Sequence, residues 1–235
     1  MPTVAVIIVA GGSGSRMQAR LPKQFLPIGG RPILMHTVER FAEAVPGCRI
    51  VVVLPESHVA YWKDLCREYG FDVAHEIRTG GANRFESVRR GLEGIGDAEL
   101  VAVHDGVRPL VSRQIVLRAV ECARTFGAAV PVVPPVDSLR ETDGTVSRIV
   151  DRSRFRIVQT PQTFRASVLR KAYERPYDER FTDDASVVEA SGHEIRLCEG
   201  AYSNIKITTP VDMITAEALL KNERELSDDG HGKER

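Results

Sequence analysis

An unbroken apolar run at residues 4–10, VAVIIVA, passes directly into Gly-Gly-Ser-Gly-Ser at residues 11–15. The run reads as a buried strand. The glycines after it permit φ > 0 turns that aim several backbone N–H groups at one point, a concavity suited to a phosphate chain. Arg16 follows at once, and PKQFLP (residues 22–27) adds Lys23. Two fixed cations therefore reach the same end of the sheet. Ala10, Gly11, Gly12 and Gly14 are the expected nucleotide-binding backbone, with Arg16 and Lys23 placed where charge moves.

Two familiar phosphate loops fail the test. No GxxxxGK[ST] string occurs. Gly12 and Gly14 begin a GxGxxG pattern, but Met17 stands where its last glycine belongs. Glu56, which follows RIVVVL and Pro55, is a candidate ribose ligand.

The 235 residues suffice for one large α/β domain with a full core. The 32 basic and 32 acidic residues cancel, so charge gives no reason to expect nucleic acid or an anionic membrane surface as partner. The N-terminal apolar run is too short to span a bilayer and lacks signal-peptide flanks, so a cytoplasmic chain is expected. Cys48, Cys66, Cys122 and Cys198 are scattered without a CxxC pair and read as reduced thiols. His104 reads as a structural histidine at a strand end.

Apolar runs alternate with helical patterns. Strands are expected at residues 4–10, 50–54, 71–77, 99–103 and 128–133. Helices are expected from Pro32, at 57–69, at 84–92 and from Ser112 to Phe126. This alternation predicts a mostly parallel sheet with helices on both faces. Between Pro134 and Pro161 the pattern changes to polar alternation with an Asp143-Gly144 turn, a hairpin signal. It predicts a β-arm that needs a partner surface. Residues 165–174 and 183–190 read as helical, 194–198 and 204–208 as short strands, and 210–222 as a last helix. One domain at 1–222 with an arm at 134–161 is expected, followed by a disordered tail at 223–235.

Ligands of open α/β sheets sit beyond the carboxyl ends of the strands. Four strings fall there: the opening loop, GGANRFESV (residues 80–88), HDGVRP (104–109) and NIKITTP (204–210). Gly81 and Ser87 can approach a planar base. Asp105 suits Mg²⁺ or a sugar hydroxyl, and Arg108 suits a phosphate. Lys206 stands among isoleucines, so its ammonium must find an anion or water.

These strings, with DRSRFRIVQTPQTF and TDDAS between them, resemble in order the 2-C-methyl-D-erythritol 4-phosphate cytidylyltransferase family of the non-mevalonate isoprenoid pathway. The resemblance runs to about residue 220. It implies a Rossmann-like nucleotidyltransferase fold and a homodimer that exchanges arms. It also implies cytidylyl transfer from CTP to the polyol phosphate, with Mg²⁺ and release of pyrophosphate. By the same resemblance Arg16 and Lys23 stabilise the transition state, while Arg152 and Lys206 position the acceptor phosphate. Gly81 and Ser87 lie at the cytosine. Asp105, Gly106 and Arg108 lie near metal, ribose and acceptor. Ser138, Thr160 and Thr182 line the acceptor pocket. Ala82 departs from the pattern, since an acidic residue often follows these glycines. From its length a monofunctional member, without a downstream cyclase domain, is expected.

The residue types match that chemistry. A phosphate monoester is anionic near pH 7 and needs no general base. The difficulty is repulsion between anions and charge growing on the leaving pyrophosphate, which positioning and electrostatics answer. Three alternatives stand beside this reading: a ribitol 5-phosphate cytidylyltransferase, a sugar-1-phosphate nucleotidyltransferase and a non-catalytic nucleotide binder.

Overall fold

The computed structural model describes residues 3–12 and 21–231. Gly14 and Arg16 therefore lie outside the described residues. In chain order the elements are β1 (Val4–Val9), a 3-10 turn (Lys23–Phe25), β2 (Pro27–Ile28), β3 (Arg31–Pro32), α1 (Ile33–Ala44), β4 (Arg49–Leu54), α2 (Glu56–Glu68), β5 (Glu76–Thr79) and α3 (Arg84–Gly91). Next come β6 (Leu100–Asp105), α4 (Arg113–Phe126), β7 (Ala128–Val133), β8 (Arg140–Thr142), β9 (Ser147–Ile149), β10 (Ile157–Val158) and β11 (Gln162–Arg165). The chain closes with α5 (Ala166–Tyr173), α6 (Asp184–Ala190), β12 (Arg196–Glu199) and α7 (Pro210–His231).

Strands β7, β11, β6, β1, β4 and β5 lie side by side in that order, with β10 and β12 added to β7. The pairs β6–β1, β1–β4 and β4–β5 are parallel. The α/β class with a mostly parallel sheet is as the alternation predicts. Successive residues of β1 serve opposite faces. Val4, Val6 and Ile8 pack with Leu34, Phe41, Trp62 and Ile115, whereas Ala5 and Ile7 pack with Phe85, Val88, Leu169 and Val188. Burial on both faces is why the strand carries no polar alternation.

Several expectations are corrected. β11 was not expected; it enters antiparallel between β6 and β7, where the reading began a helix at residue 165. Its Gln162 is fully buried because its amide is satisfied on both sides, donating to Asp183 at 2.7 Å and receiving the Ala185 N–H at 2.8 Å. The strand expected at 71–77 forms only from Glu76, since Phe71 turns away to pack edge-on against Trp62 and at a tilt against His75. Residues 204–208 form no strand; a single ladder-like bond, Ile207 N–H to the Val107 carbonyl, holds them. α7 continues through 223–231, where a disordered tail was expected. The stretch opens with the good helix formers Glu223, Arg224, Glu225 and Leu226, and Glu223 pairs with Arg40.

β8 and β9 pair only with each other, and the turn falls at Asp143-Gly144, with Gly144 at φ +97°. Val136, Val146, Ile149, Phe155 and Ile157 are exposed around this hairpin.

Candidate active site

The carboxyl ends of β1, β4, β5 and β6 open onto one cleft of about 240 Å³. Its wall holds Ala10, Gly11 and Gly12 after β1, Pro55 after β4, and Gly80 to Arg84 after β5. Asp105 ends β6, and Lys23, Gln24, Ser87, Val107 and Lys206 also line the wall. Of the expected site residues among those described, the fold thus gathers Ala10, Gly11, Gly12, Lys23, Gly81, Ser87, Asp105 and Lys206.

The opening strand is held from beneath. Ala10 donates to the Val53 carbonyl at 2.9 Å, and its own carbonyl receives Gln24 Nε2 at 2.8 Å. Gln24 is the residue after Lys23, so this bond ties the lysine's short turn to the strand end. Gly81 lies against the first turn of α3. A Cβ there would sit 2.2 Å from that of Glu86, so the close approach requires glycine. Its N–H meets Ser87 Oγ at 3.2 Å, and Asn83 caps α3 through Oδ1 to the Glu86 N–H at 2.8 Å.

Asp105 is the only carboxylate on the cleft wall among the described residues, and three cations surround it. Lys206 Nζ lies 3.0 Å from Oδ2, Arg108 Nε 3.3 Å from the same oxygen, and Arg84 Nε 3.9 Å from Oδ1. Burial opposes ionisation of the carboxyl, but Lys206, Arg84 and Arg108 prevail and hold it well below the usual range. His104 beneath is fully buried, and burial pushes its imidazole down to about 3. Its ring nitrogens engage the Arg108 carbonyl at 3.1 Å and Thr160 Oγ1 at 3.0 Å. It is the structural histidine expected.

Other expected residues lie elsewhere. Arg108 is turned inward, and its Nη1 donates to the Asn204 carbonyl at 2.7 Å. Thr160 is buried, and its hydroxyl receives the Asp105 N–H at 3.1 Å. Both support Asp105 from behind, where the reading had them line an acceptor pocket; the bonds to Asp105 and to the Asn204 carbonyl draw the guanidinium inward. Gly106 likewise backs the cleft, its N–H on the Val9 carbonyl. Ser138 and Arg152 lie on the exposed hairpin segment, where Arg152 donates to the Val136 carbonyl, and Thr182 is exposed before α6. None of these three lines the cleft of its own chain. Glu56 begins α2 and is not on the cleft wall.

Sequence reasoning missed Arg84, which lines the cleft and pairs with fully buried Asp184. The signal was available in part: TDDAS was singled out, but its partner lies 100 residues away.

A glycine-led cleft at the carboxyl edge of an open α/β sheet, furnished with lysines and one aspartate, is the layout of a nucleotidyltransferase. Residues 4–222 match the IspD family model, 2-C-methyl-D-erythritol 4-phosphate cytidylyltransferase. The chain is similar to the proteins of that name from Porphyromonas gingivalis (52% identity over 217 residues, 91% of this chain and 96% of the relative) and Phocaeicola vulgatus (49% over 215 residues, 92% and 98%). Among solved structures it is similar to the 2-C-methyl-D-erythritol 4-phosphate cytidylyltransferase of Thermus thermophilus. That match has a TM-score of 0.76 and 38% identity over 93% of this chain and 99% of that one. It also matches the bifunctional IspDF of Campylobacter jejuni, TM-score 0.77 and 28% identity, covering 89% of this chain and 53% of that one. The chain belongs to the 2-C-methyl-D-erythritol 4-phosphate cytidylyltransferase family.

Proposed function

We propose that this enzyme transfers the cytidylyl group of CTP to 2-C-methyl-D-erythritol 4-phosphate, releasing pyrophosphate. The observation that carries the reading is the cleft in which Lys23 and Lys206 face a glycine-rich strand end across Asp105, in a chain that matches the family over residues 4–222.

The backbone of residues 10–12 and 80–82 receives the nucleotide, with Gly81 and Ser87 against the base. The backbone contacts at Ala82 need no acidic side chain. Lys23, with Arg16 and Gly14 of the opening loop, answers the charge that grows on the phosphates. Lys206 holds the attacking phosphate in line. The attacking oxygen is already anionic, so no side chain need remove a proton.

Mg²⁺ suits this site. Among the described residues no cluster of three His, Cys, Asp or Glu side chains forms a metal cage. Mg²⁺ commonly takes one or two carboxylates and fills its remaining positions with phosphate oxygens and water. Asp105 would hold it, and the ion would neutralise charge on the triphosphate.

The reading includes a homodimer. Val136, Val146, Ile149, Phe155 and Ile157 leave an apolar surface on the hairpin that asks for cover. Exchange of hairpins would bring Arg152 and Ser138 of one protomer, with Thr182, toward the acceptor of the other. Arg108 and Thr160 then act from behind Asp105. Both substrates are water-soluble phosphates and no described helix is long and apolar enough to cross a membrane, so the reading places the enzyme in the cytoplasm.

The test is kcat/KM for three acceptors at saturating CTP and Mg²⁺. Methylerythritol phosphate should be used well, ribitol phosphate poorly and free methylerythritol hardly at all, because an acceptor without a phosphate gives Lys206 nothing to hold in line. Preference for ribitol phosphate would overturn the acceptor, and absence of pyrophosphate release with any polyol phosphate would overturn the activity.

A further inference from the structure

Lys206 stands in a segment without helix or strand, yet its ammonium is placed within 3.0 Å of Asp105. The fixed points of that segment converge on one side chain. Gln159 is buried. Its Nε2 donates to the Ala201 carbonyl at 2.8 Å, and its Oε1 receives the Ala201 N–H at 3.2 Å. The same oxygen receives Asn204 Nδ2 at 3.3 Å. Asn204 is fully buried and also donates to the Thr160 carbonyl at 2.9 Å. Beyond Lys206, Ile207 is fully buried and donates to the Val107 carbonyl at 2.9 Å.

Gly200 makes room for this arrangement. A Cβ at residue 200 would lie 2.3 Å from Gln159 Oε1 and 3.2 Å from the Val132 carbonyl. The amide of Gln159 thus occupies the volume a side chain at 200 would need.

We propose that Gln159 is a positioning residue for Lys206: its amide clamps the turn at residues 200–204, and Gly200 is the opening that admits it. The proposal rests on the acceptor-holding role of Lys206 given above. An amide alone offers a donor and an acceptor at the same reach; a carboxylate supplies only acceptors, and an aliphatic chain neither. Without the clamp, the polar groups of Ala201 and Asn204 must find other partners. The lysine then leaves its line. The damage falls on the acceptor phosphate, because the glycine loops that take the nucleotide hang from β1 and β5, not from this segment.

The test attacks the clamp from both sides. Gln159→Ala and Gly200→Ala should each lower kcat/KM for the polyol phosphate by about 10- to 100-fold, the scale for a reacting group displaced by about 1 Å. The KM for CTP should change by less than about twofold. The double variant should be no worse than Gln159→Ala alone, since the added methyl then meets no amide and only the Val132 carbonyl must yield. Gln159→Glu keeps an acceptor oxygen but sets another against the Ala201 carbonyl, and should lower kcat/KM for the polyol phosphate at least as far as Gln159→Ala. Additive losses in the double variant, or equal damage to CTP and acceptor, would overturn the clamp. Lys206→Ala is measured alongside. If it leaves acceptor use intact, the role of Lys206 fails and the clamp with it. If it impairs acceptor use while Gln159→Ala and Gly200→Ala do not, the clamp alone fails. Circular dichroism and melting check folding, and if Gln159→Ala does not fold, Gly200→Ala and Gln159→Glu carry the same comparison.

Discussion

Arg84 holds Asp184 through two parallel hydrogen bonds, Nη1 to Oδ1 at 2.9 Å and Nη2 to Oδ2 at 2.6 Å, across 100 residues of sequence. Asp184 is fully buried and also receives the Tyr173 hydroxyl at 2.7 Å. The pair joins the first residue of α3, on the cleft wall, to the first residue of α6. Removing one partner of a buried ion pair leaves an uncompensated charge. Asp184→Ala should therefore cost about 3 kcal/mol of stability, whereas Arg84→Met with Asp184→Leu should cost markedly less. Urea unfolding decides: a single-variant loss below about 1 kcal/mol would show the pair to be structurally idle.

Lys23 lines the cleft beside Gly12, whose Cβ position lies 3.6 Å from Lys23 Cε. Lys23→Ala should lower kcat by about 10²–10³, the scale for losing one preorganised charge donor, with melting unchanged. Near-parental turnover in the folded variant would take Lys23 out of the chemistry.

Arg152 lies on the exposed hairpin segment and Lys206 in the cleft. If protomers exchange hairpins, inactive Arg152→Ala and inactive Lys206→Ala chains should regain activity when mixed, because one site of each hybrid receives both residues. Verified mixed dimers that stay inactive would rule out a shared site.

His104 sets an acid sensitivity. Burial lowers its folded-state value to about 3 from 6.5, so the folded protein keeps it neutral where the unfolded chain takes up a proton. Its contribution is complete above pH 6.5 and is lost as pH falls toward 3. Between pH 7 and 5 this amounts to about 2 kcal/mol. Asp105, held low, loses its contribution only further down, below its ordinary 3.8. Urea midpoints of the parent and of His104→Gln at both pH values separate the effects; a parent no more acid-sensitive than the variant would refute it.

The central parallel strands β1, β4 and β6 were legible because each is apolar on both faces, as in RIVVVL of β4 and LVAV of β6. The cleft's glycines and lysines were legible because a phosphate site demands those residue types beside a strand end. β11 was not, because QTFR is four residues long and opens on a glutamine whose burial depends on Asp183 and Ala185. Arg84 was read as part of a helix pattern; nothing local marks a guanidinium whose partner is Asp184. Lys206 lines the cleft although its strand did not form; its segment is tied down instead by Asn204, which bonds Gln159 and the Thr160 carbonyl.

The antiparallel entry of β11 has a consequence for how the molecule is born. A ribosome delivers β1, β4, β5, β6 and β7 first, yet no strand joins β6 to β7 until residues 162–165 emerge. Until then the nascent chain carries two bare strand edges, each able to recruit a strand from another molecule. The hairpin segment must be synthesised before the sheet can close, and only then does Thr160 reach the N–H of Asp105. Translation that stops short of this point leaves a sticky fragment rather than a smaller working enzyme.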